Sequence, residues 1–330
     1  MVHFLTVEGL NTQYYTNAGP VNAVQDVSFS IEKGESVGIA GESACGKSTL
    51  GLSLMRTIVG GKITSGKIVL NGTSLLDLSE DEFDRSYRWK KISMVFQGAM
   101  NSLDPVYTIY QQFSDILKQH GHRGDDTELI LSALQSVHLS KDVLKKYPHE
   151  LSGGMKQRIV IAMALLLRPN LVIADEPTTA LDVLVQSQIL NLFKNLKKQG
   201  ITFMLISHDL ATISELCEKI GIMYGGKLVE FGSSKEILDN PKHPYTQALI
   251  QSVPKLHGTE KPKYIPGSPP SLLNPRPECR FIDRCPMAME KCKKDPPSIK
   301  TDSGHVLCWL YVRERESPNP LGSGDVRSNS

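Results

Sequence analysis

The chain has 330 residues, a length that predicts a main domain with a smaller region beside it. Its 37 lysine and arginine residues nearly balance 35 aspartates and glutamates, so the net charge of +2 argues against a general nucleic-acid-binding surface. The longest apolar run, residues 159–167, is too short to span a membrane, and we find no signal-peptide pattern at the start. These features favour a cytoplasmic protein.

Two segments near the N-terminus, residues 4–7 and 27–31, alternate between apolar and polar side chains as half-buried strands do. They predict an antiparallel β-layer that precedes the main sheet. Tyr14 and Tyr15 fall between them, in a predicted loop. An aromatic ring there can stack on an adenine base, or it can simply pack against the end of a strand.

A glycine-rich loop with the pattern Gly-x-x-x-x-Gly-Lys-Ser follows the apolar segment 36–40. It consists of Gly41, Glu42, Ser43, Ala44, Cys45, Gly46, Lys47, Ser48 and Thr49. A loop between a strand and a helix curls its backbone N–H groups around phosphate oxygens, and the helix dipole favours the same anion. We expect Lys47 to reach the β and γ phosphates of a nucleotide, Ser48 to bind Mg²⁺ and Thr49 to lie near the α phosphate. A turn without a ligand is the alternative.

Another predicted strand, residues 92–96, ends at Gln97 and runs into a loop. The amide of Gln97 can offer its oxygen to Mg²⁺ or to an attacking water, although polar residues at strand ends often have no such role. Apolar residues then recur at helical spacing from residue 109 to residue 144. This pattern predicts a helical insertion, about residues 100–158, between two halves of a nucleotide-binding core.

The segment Leu151-Ser152-Gly153-Gly154 opens a strongly apolar helix. Ser152 is well placed to cap the helix N-terminus, and the two glycines leave backbone N–H groups open to an anion. Taken alone, the segment indicates only a capped helix start.

Polar residues stand at the carboxyl ends of two further apolar segments, residues 171–174 and 201–207. Asp175 and Glu176 end the first, and His208 follows the second. The carboxyl edge of a parallel sheet is where ligands bind. We expect Asp175 to hold Mg²⁺, Glu176 to take a proton from the water that attacks the γ phosphate, and His208 to orient that water. Solvated strand ends are the alternative.

In their order along the chain, these motifs resemble those of the ATPase subunits of ATP-binding cassette (ABC) transporters, over about residues 3–250. The resemblance implies an α/β fold of the P-loop NTPase type: a RecA-like mixed sheet core, an N-terminal antiparallel β-layer and a helical insertion. It also implies ATP and Mg²⁺ as ligands. Met155 replaces the glutamine that commonly follows the signature glycines of the family, a position without a phosphate contact.

The resemblance assigns roles position by position. The implied nucleotide contacts are Tyr14 on the adenine, residues 41–49 as the Walker A loop, Gln97, Ser152, Gly153, Gly154, Asp182 of the D-loop and His208. The implied Mg²⁺ ligands are Ser48, Gln97 and Asp175. The implied catalytic residues are Lys47, Gln97, Glu176 and His208.

The family also implies partners, because the signature segment of one subunit completes the nucleotide site of another. We therefore expect a second ATPase subunit, either a similar but non-identical chain or an identical one, with two ATP molecules between them. Two transmembrane permease subunits and, indirectly, an extracytoplasmic solute-binding protein complete the expected complex. This chain is expected at the cytoplasmic face of the membrane. No nucleic-acid partner is expected.

Four of the six cysteines cluster after a proline-rich segment, residues 254–277. They are Cys279, Cys285, Cys292 and Cys308, spaced C-x5-C-x6-C-x15-C. In a short region with little core, a bound metal is the expected staple. Zinc is the usual partner of four cysteines, but C-x2-C pairs are absent, and iron–sulfur clusters also use four. Cys45 and Cys217 lie outside the group and are interpreted as packing residues.

This C-terminal part resembles that of ATPases from dipeptide and oligopeptide importers, some of which carry a 4Fe-4S cluster on cysteines arranged in this way. The resemblance implies such a cluster, with Zn²⁺ as the alternative, and peptide import as the function. It divides the chain into an ATPase domain (1–250), a Pro/Cys-rich region (251–316) and a flexible tail (317–330).

Two alternatives to peptide import remain. One is the import of another solute, such as an oligosaccharide or nickel. The other is a soluble ABC ATPase that acts on ribosomes or DNA. Three features argue against it: the chain has a single cassette, the interval 97–151 is too short for a coiled-coil arm, and no strongly basic stripe is present.

Overall fold

Two β-sheets organise the structure, a computed structural model that describes residues 3–252 and 264–312. The strands are β1 (Leu5–Thr16), β2 (Gly19–Ile31), β3 (Val37–Ala40), β4 (Gly61–Leu70), β5 (Thr73–Ser74), β6 (Ile92–Val95), β7 (Leu171–Asp175), β8 (Thr202–Ile206), β9 (Lys219–Tyr224), β10 (Lys227–Ser233), β11 (Ser298–Lys300) and β12 (His305–Leu307). The α-helices are α1 (Lys47–Met55), α2 (Glu80–Ser86), α3 (Ile109–Gln119), α4 (Thr127–Ser136), α5 (Gly153–Leu165), α6 (Val183–Lys198), α7 (Leu210–Leu216), α8 (Ser234–Asp239) and α9 (Pro244–Ser252).

The smaller sheet is the antiparallel layer that the sequence predicts, with strand order β2-β1-β4-β5. The prediction that Tyr14 and Tyr15 lie in a loop is wrong, because β1 continues to Thr16 and carries both residues. The strand persists through a polar stretch because it stays paired there, with Tyr14 opposite Val21 of β2 and Gly61 of β4. The buried Thr12 also lies against α1, with its hydroxyl 2.8 Å from that of Ser53. Pairing with neighbouring strands, rather than local alternation, therefore sets the length of this strand.

The larger sheet is mixed, with strand order β11-β12-β10-β9-β3-β8-β7-β6. From β9 to β6 the neighbouring strands run parallel, whereas β10, β12 and β11 add antiparallel pairs at one side. The predicted α/β fold with a mixed sheet is confirmed. Because the parallel strands share a direction, the residues that follow β3, β6, β7 and β8 all lie at one edge.

Helices α3 and α4, with short 3₁₀ turns, lie between β6 and α5, where the sequence predicts an insertion. Thr108 begins α3 with a capping box, in which its hydroxyl accepts from the Gln111 N–H and the Gln111 side chain accepts from the Thr108 N–H. The buried side chains of Phe113 and Leu134 join the same core cluster as Ile159 of α5. The insertion is thus packed against the helix that carries the Ser-Gly-Gly segment.

The region from residue 264 to residue 312 folds mainly as turns and 3₁₀ helices, and it extends the larger sheet. Strand β12 pairs with β10, with Val306 opposite Glu230 and His305 opposite Phe231. The first part of the predicted proline-rich segment and the predicted flexible tail (317–330) lie outside the described residues.

None of the helices within the described ranges is both long enough and apolar enough to cross a membrane.

Candidate nucleotide-binding site

The glycine-rich loop leaves the buried strand β3 and opens α1, as the sequence predicts. Gly41 and Gly46 have φ values of 150° and 104°, and a Cβ at either would lie 2.2 Å or 2.0 Å from a backbone carbonyl oxygen of Met223 or Ala23. Only glycine fits such a close approach. No side chain caps α1 at Gly46, so the N–H groups of its first turn have no side-chain cap in competition with an anion.

Lys47 is buried and points back over the loop. Its Nζ donates hydrogen bonds to the carbonyl oxygens of Gly41 and Glu42, at 2.7 and 2.9 Å. The ammonium is therefore held by two carbonyl oxygens of the loop itself. On binding a phosphate, Lys47 would exchange these carbonyl contacts for charge-assisted ones, which are stronger.

Asp175 ends β7 beside Ser48, and its carboxylate provides the test of a Mg²⁺ site. The Oδ1 atom of Asp175 is buried and has no hydrogen-bond partner within the described residues. Burial raises the pKa of Asp175, while a hydrogen bond from Ser48 and the charge of Lys47 lower it. An unpartnered carboxylate oxygen next to a hydroxyl is a hard oxygen donor set of the kind that Mg²⁺ prefers, so these residues fit that ion.

Glu176 and His208 meet at the same edge. The Oε1 atom of Glu176 accepts a hydrogen bond from the backbone N–H of His208 at 3.0 Å and lies 2.8 Å from its ring Nδ1. Its Oε2 atom accepts from the Thr179 hydroxyl at 3.2 Å. The Glu176 side chain is 10% exposed and that of His208 is 66% exposed. A fixed, mostly buried carboxylate thus stands next to a ring that faces solvent, an arrangement suited to a general base and the group that orients it.

Gln97 and Tyr14 are two further predicted nucleotide contacts, and each is placed by a strand. Gln97 is exposed just after β6, at the edge where β3, β7 and β8 end. Tyr14 is half-buried, and its hydroxyl lies 3.4 Å from that of Thr49. Tyr15 is 54% exposed, with the Lys62 ammonium 5.6 Å from its ring centre. Of the two tyrosines, Tyr14 is the one in contact with α1.

The signature segment and the D-loop residue act within this chain as helix caps. Ser152 caps α5 by accepting from the N–H of Met155, as predicted, and Asp182 caps α6 by accepting from the N–H of Val185. A Cβ on Gly154 would lie 2.8 Å from Cγ1 of Val185, so α5 and α6 approach closely here. In the described contacts, neither cap joins the phosphate loop.

Sequence reasoning missed several residues that contact the site. Gln157, on the buried face of α5, donates to the carbonyl oxygen of Pro177 at 2.8 Å and so ties this helix to the segment after Glu176. Tyr245 and Arg284 were missed as well: the Tyr245 hydroxyl accepts from the backbone N–H of Glu42, and the Arg284 guanidinium donates to the Glu42 carboxylate. Of Gln157, Tyr245 and Arg284, only Gln157 had a local signal in the sequence, namely its position on the apolar helix that follows the Ser-Gly-Gly segment.

The four clustered cysteines come together in the folded C-terminal region. The N–H of Cys279 donates to the carbonyl oxygen of Cys292, and three of the four residues are buried. Burial raises the pKa of Cys279 to about 12, and the other three thiols add to the effect. Within residues 3–252 and 264–312, however, no three His, Cys, Asp or Glu side chains are arranged to hold a metal ion. The predicted metal staple is therefore not shown.

Two family models match the chain. One, described as ABC transporter, covers residues 24–179. The other, described as Oligopeptide/dipeptide transporter, C-terminal region, covers residues 229–292 and includes three of the four clustered cysteines.

Curated proteins and solved structures give the same result. The dipeptide transport ATP-binding protein DppD of Caldanaerobacter subterraneus subsp. tengcongensis is 45% identical over 320 residues, which cover 94% of this chain and 98% of that protein. The oligopeptide transport ATP-binding protein OppD of Haemophilus influenzae is 39% identical over 317 residues, covering 94% and 98%. The dimeric, post-hydrolysis ATP-binding cassette MJ0796 bound to ADP and Pi superimposes with a TM-score of 0.62 at 27% identity, over 70% of this chain and 98% of that one. The chain therefore belongs to the ATP-binding subunits of ABC transporters that carry an oligopeptide/dipeptide-type C-terminal region.

Proposed function

We propose that this chain hydrolyses ATP to power the import of dipeptides or oligopeptides through an ABC transporter. The observation that carries the proposal is the gathering of Lys47, Asp175 and the Glu176–His208 pair at one edge of the sheet. The C-terminal region of oligopeptide/dipeptide type supports peptides as the solute.

The geometry supports in-line hydrolysis of the γ phosphate. Lys47 binds the phosphates, and Glu176 accepts a proton from the attacking water. His208, whose ring contacts the Glu176 carboxylate, orients that water. The water oxygen bonds to the γ phosphorus while the bond between that phosphorus and the β-phosphate oxygen breaks, so that ADP leaves. Ser48, Gln97 and Asp175 would hold Mg²⁺, which when bound neutralises phosphate charge.

A second ATPase subunit completes the proposed site. Ser152, Gly153, Gly154 and Asp182 serve the partner's nucleotide, since no hydrogen bond within residues 3–252 and 264–312 joins them to the phosphate loop of their own chain. The side chains of Val183 and Leu184, next to Asp182, are 79% and 77% exposed, and a partner would cover this apolar pair. The partner is a similar chain, identical or not. Two transmembrane permease subunits and, indirectly, an extracytoplasmic solute-binding protein complete the complex, in which this chain lies at the cytoplasmic face of the membrane.

Peptide uptake tests the function directly. Cells that depend on this chain should lose uptake of labelled dipeptides or oligopeptides when it carries Lys47→Ala, and should keep uptake with Lys198→Ala, an exposed lysine far along the chain. Lost uptake of nickel or an oligosaccharide, with peptide uptake intact, would contradict the proposed solute. Co-purification with ribosomes or DNA in place of membrane proteins would instead favour the soluble class of ABC ATPase.

The clustered cysteines are the second part of the proposal: they hold a 4Fe-4S cluster, with Zn²⁺ as the alternative. Four thiols brought together by one short segment form a donor set that suits either metal, provided that the thiols lose their protons and draw closer. Anaerobic purification should give about four irons and four sulfides per chain. Cys285→Ser should abolish this content, and Cys217→Ser, a buried cysteine outside the group, should not. One zinc without sulfide would favour the alternative, and neither metal would refute both.

A further inference from the structure

The C-terminal region contacts the Walker A loop at Glu42. The Arg284 guanidinium donates two hydrogen bonds to the Glu42 carboxylate, Nη1 to Oε2 at 2.7 Å and Nη2 to Oε1 at 2.9 Å. This is the bidentate fork in which arginine binds carboxylates best. The backbone N–H of Glu42 also donates to the Tyr245 hydroxyl at 2.9 Å. Both the main chain and the side chain of this loop residue are therefore fixed.

Arg284 is itself rigidly held. Its side chain is only 5% exposed, its Nε donates to the carbonyl oxygen of Pro266 at 2.7 Å, and its Nη1 donates to the Tyr224 hydroxyl at 3.0 Å. The guanidinium carbon lies 5.6 Å from the ring centre of Tyr224 and 5.9 Å from that of Phe281. An arginine fixed in this way loses little further freedom when it binds Glu42.

The contact between Arg284 and Glu42 matters most when a nucleotide binds. Lys47 donates to the carbonyl oxygens of Gly41 and Glu42, and a bound phosphate would take the place of these acceptors. Once Lys47 has turned to the phosphate, the side of the loop at Glu42 depends on its contacts with Tyr245 and Arg284. A loop that relaxed at this moment would turn its N–H groups away from the anion that they must surround.

We propose that Arg284 is a positioning residue for ATP binding: it braces Glu42 so that the phosphate loop keeps its binding shape, and it thereby makes nucleotide affinity depend on the docked C-terminal region. The proposal concerns this chain alone and depends neither on the transported solute nor on a metal at the cysteines.

ATP affinity of the full-length chain tests the brace, measured as the Kd of a fluorescent ATP analogue and as KM and kcat for ATP. Arg284→Gln should raise Kd and KM about tenfold, the effect of about 1.4 kcal/mol, and should change kcat much less. Arg284→Lys should recover part of the affinity, because it keeps the charge but loses the fork. Unchanged Kd and KM in Arg284→Gln would overturn the proposal.

A mutant cycle separates the contact from general damage to the fold. Glu42→Gln should also weaken binding, and Glu42→Gln combined with Arg284→Gln should be no worse than the weaker-binding single variant, because both break one pair. Losses that multiply in the double variant would refute the pairing. The cycle also serves if Arg284→Gln fails to fold, since Arg284→Lys then takes its place.

The matched control is Ser303→Ala. The Ser303 hydroxyl binds Glu236 and accepts from the N–H of Ser233 at 2.7 Å, so it docks the same C-terminal region away from the loop. ATP affinity should be unchanged in this variant. An equal loss of affinity there would show that docking in general, rather than Arg284, sets the affinity.

Discussion

Glu176 adopts a backbone conformation that is uncommon for a side-chain-bearing residue, with φ of 48°. Such strain concentrates at functional sites, and here it accompanies three hydrogen bonds that aim the carboxylate. We expect Glu176→Gln to bind ATP normally and to hydrolyse it about 10² to 10⁴ times more slowly, because the amide has no basic oxygen for the proton. Phosphate release and nucleotide binding measure the two effects separately.

The control for this prediction is Glu215→Gln, which removes a carboxylate from a surface ion pair with Lys194 and should leave hydrolysis unchanged. A normal rate in Glu176→Gln would remove this residue from its proposed role.

Asp175 predicts an unusual dependence of stability on pH. Its pKa is raised by burial, so the folded state binds a proton more tightly than the unfolded state does. The cost of the buried charge therefore builds up as the pH rises from the unfolded-state pKa of 3.8 to the raised folded-state pKa, and it is absent below the unfolded-state value. We expect Asp175→Asn to raise the Tm in Mg²⁺-free buffer by a few degrees at about pH 8, and by less at about pH 4, near the unfolded-state pKa.

The same variant should lose the extra stabilisation that Mg²⁺ with ATP gives the unchanged protein. Thermal melts across pH, with and without MgATP, check both effects. A lower Tm at every pH would mean that Asp175 serves the fold rather than the metal.

At the scale of elements, the start of α5 combines two functions in one hydroxyl. Ser152 caps the helix within its own chain, and in the proposed dimer it also contacts a phosphate of the nucleotide that the partner binds. Ser152→Ala should therefore lower stability by about 1 kcal/mol, the usual value of a cap, and should also impair hydrolysis in the assembled transporter. Ser152→Asp should restore the stability, because aspartate caps well, but its charge should repel the phosphate and keep activity low.

Chemical denaturation and ATPase assays of the complex measure these two properties. Recovery of both properties in Ser152→Asp would indicate that the residue acts only as a cap.

Elements with local signals could be predicted from the sequence, and contacts between distant segments could not. Continuous apolar runs identified β3, β7 and β8, and a single cap residue placed the start of α5. The true end of β1 depends on its pairing with β2 and β4, and the contact with Glu42 comes from a residue 242 positions away. The cysteine spacing predicted a cluster, but spacing alone does not bring thiols into ligating geometry.

At the scale of the whole molecule, the C-terminal region is built into the cassette. Strand β12 continues the main sheet at β10, and the fully buried Phe281 packs on Tyr224 and Tyr245 with ring centres 5.2 and 5.4 Å apart. Removing Phe281 would leave a large cavity between elements from both regions. The domain boundary proposed at residue 250 thus separates two regions by sequence and function. Because these regions share a core, we expect them to unfold as a single unit.

The two tryptophans of the chain make this prediction testable, since Trp89 lies in the cassette and Trp309 in the C-terminal region. Trp309 is anchored by its Nε1, which donates to the carbonyl oxygen of Lys294 at 3.0 Å. In urea, the fluorescence of Trp89→Phe reports the C-terminal region and that of Trp309→Phe reports the cassette. We expect coincident midpoints in the two variants, because elements that share one sheet and one aromatic core unfold together.

Circular dichroism of both variants provides the control, because each substitution must leave the global midpoint where it is in the unchanged protein. If the Trp309 signal is lost at lower urea than the Trp89 signal, the C-terminal region unfolds by itself. Arg284 would then release Glu42 while the cassette stayed folded, and ATP affinity should fall at that first transition rather than at the second.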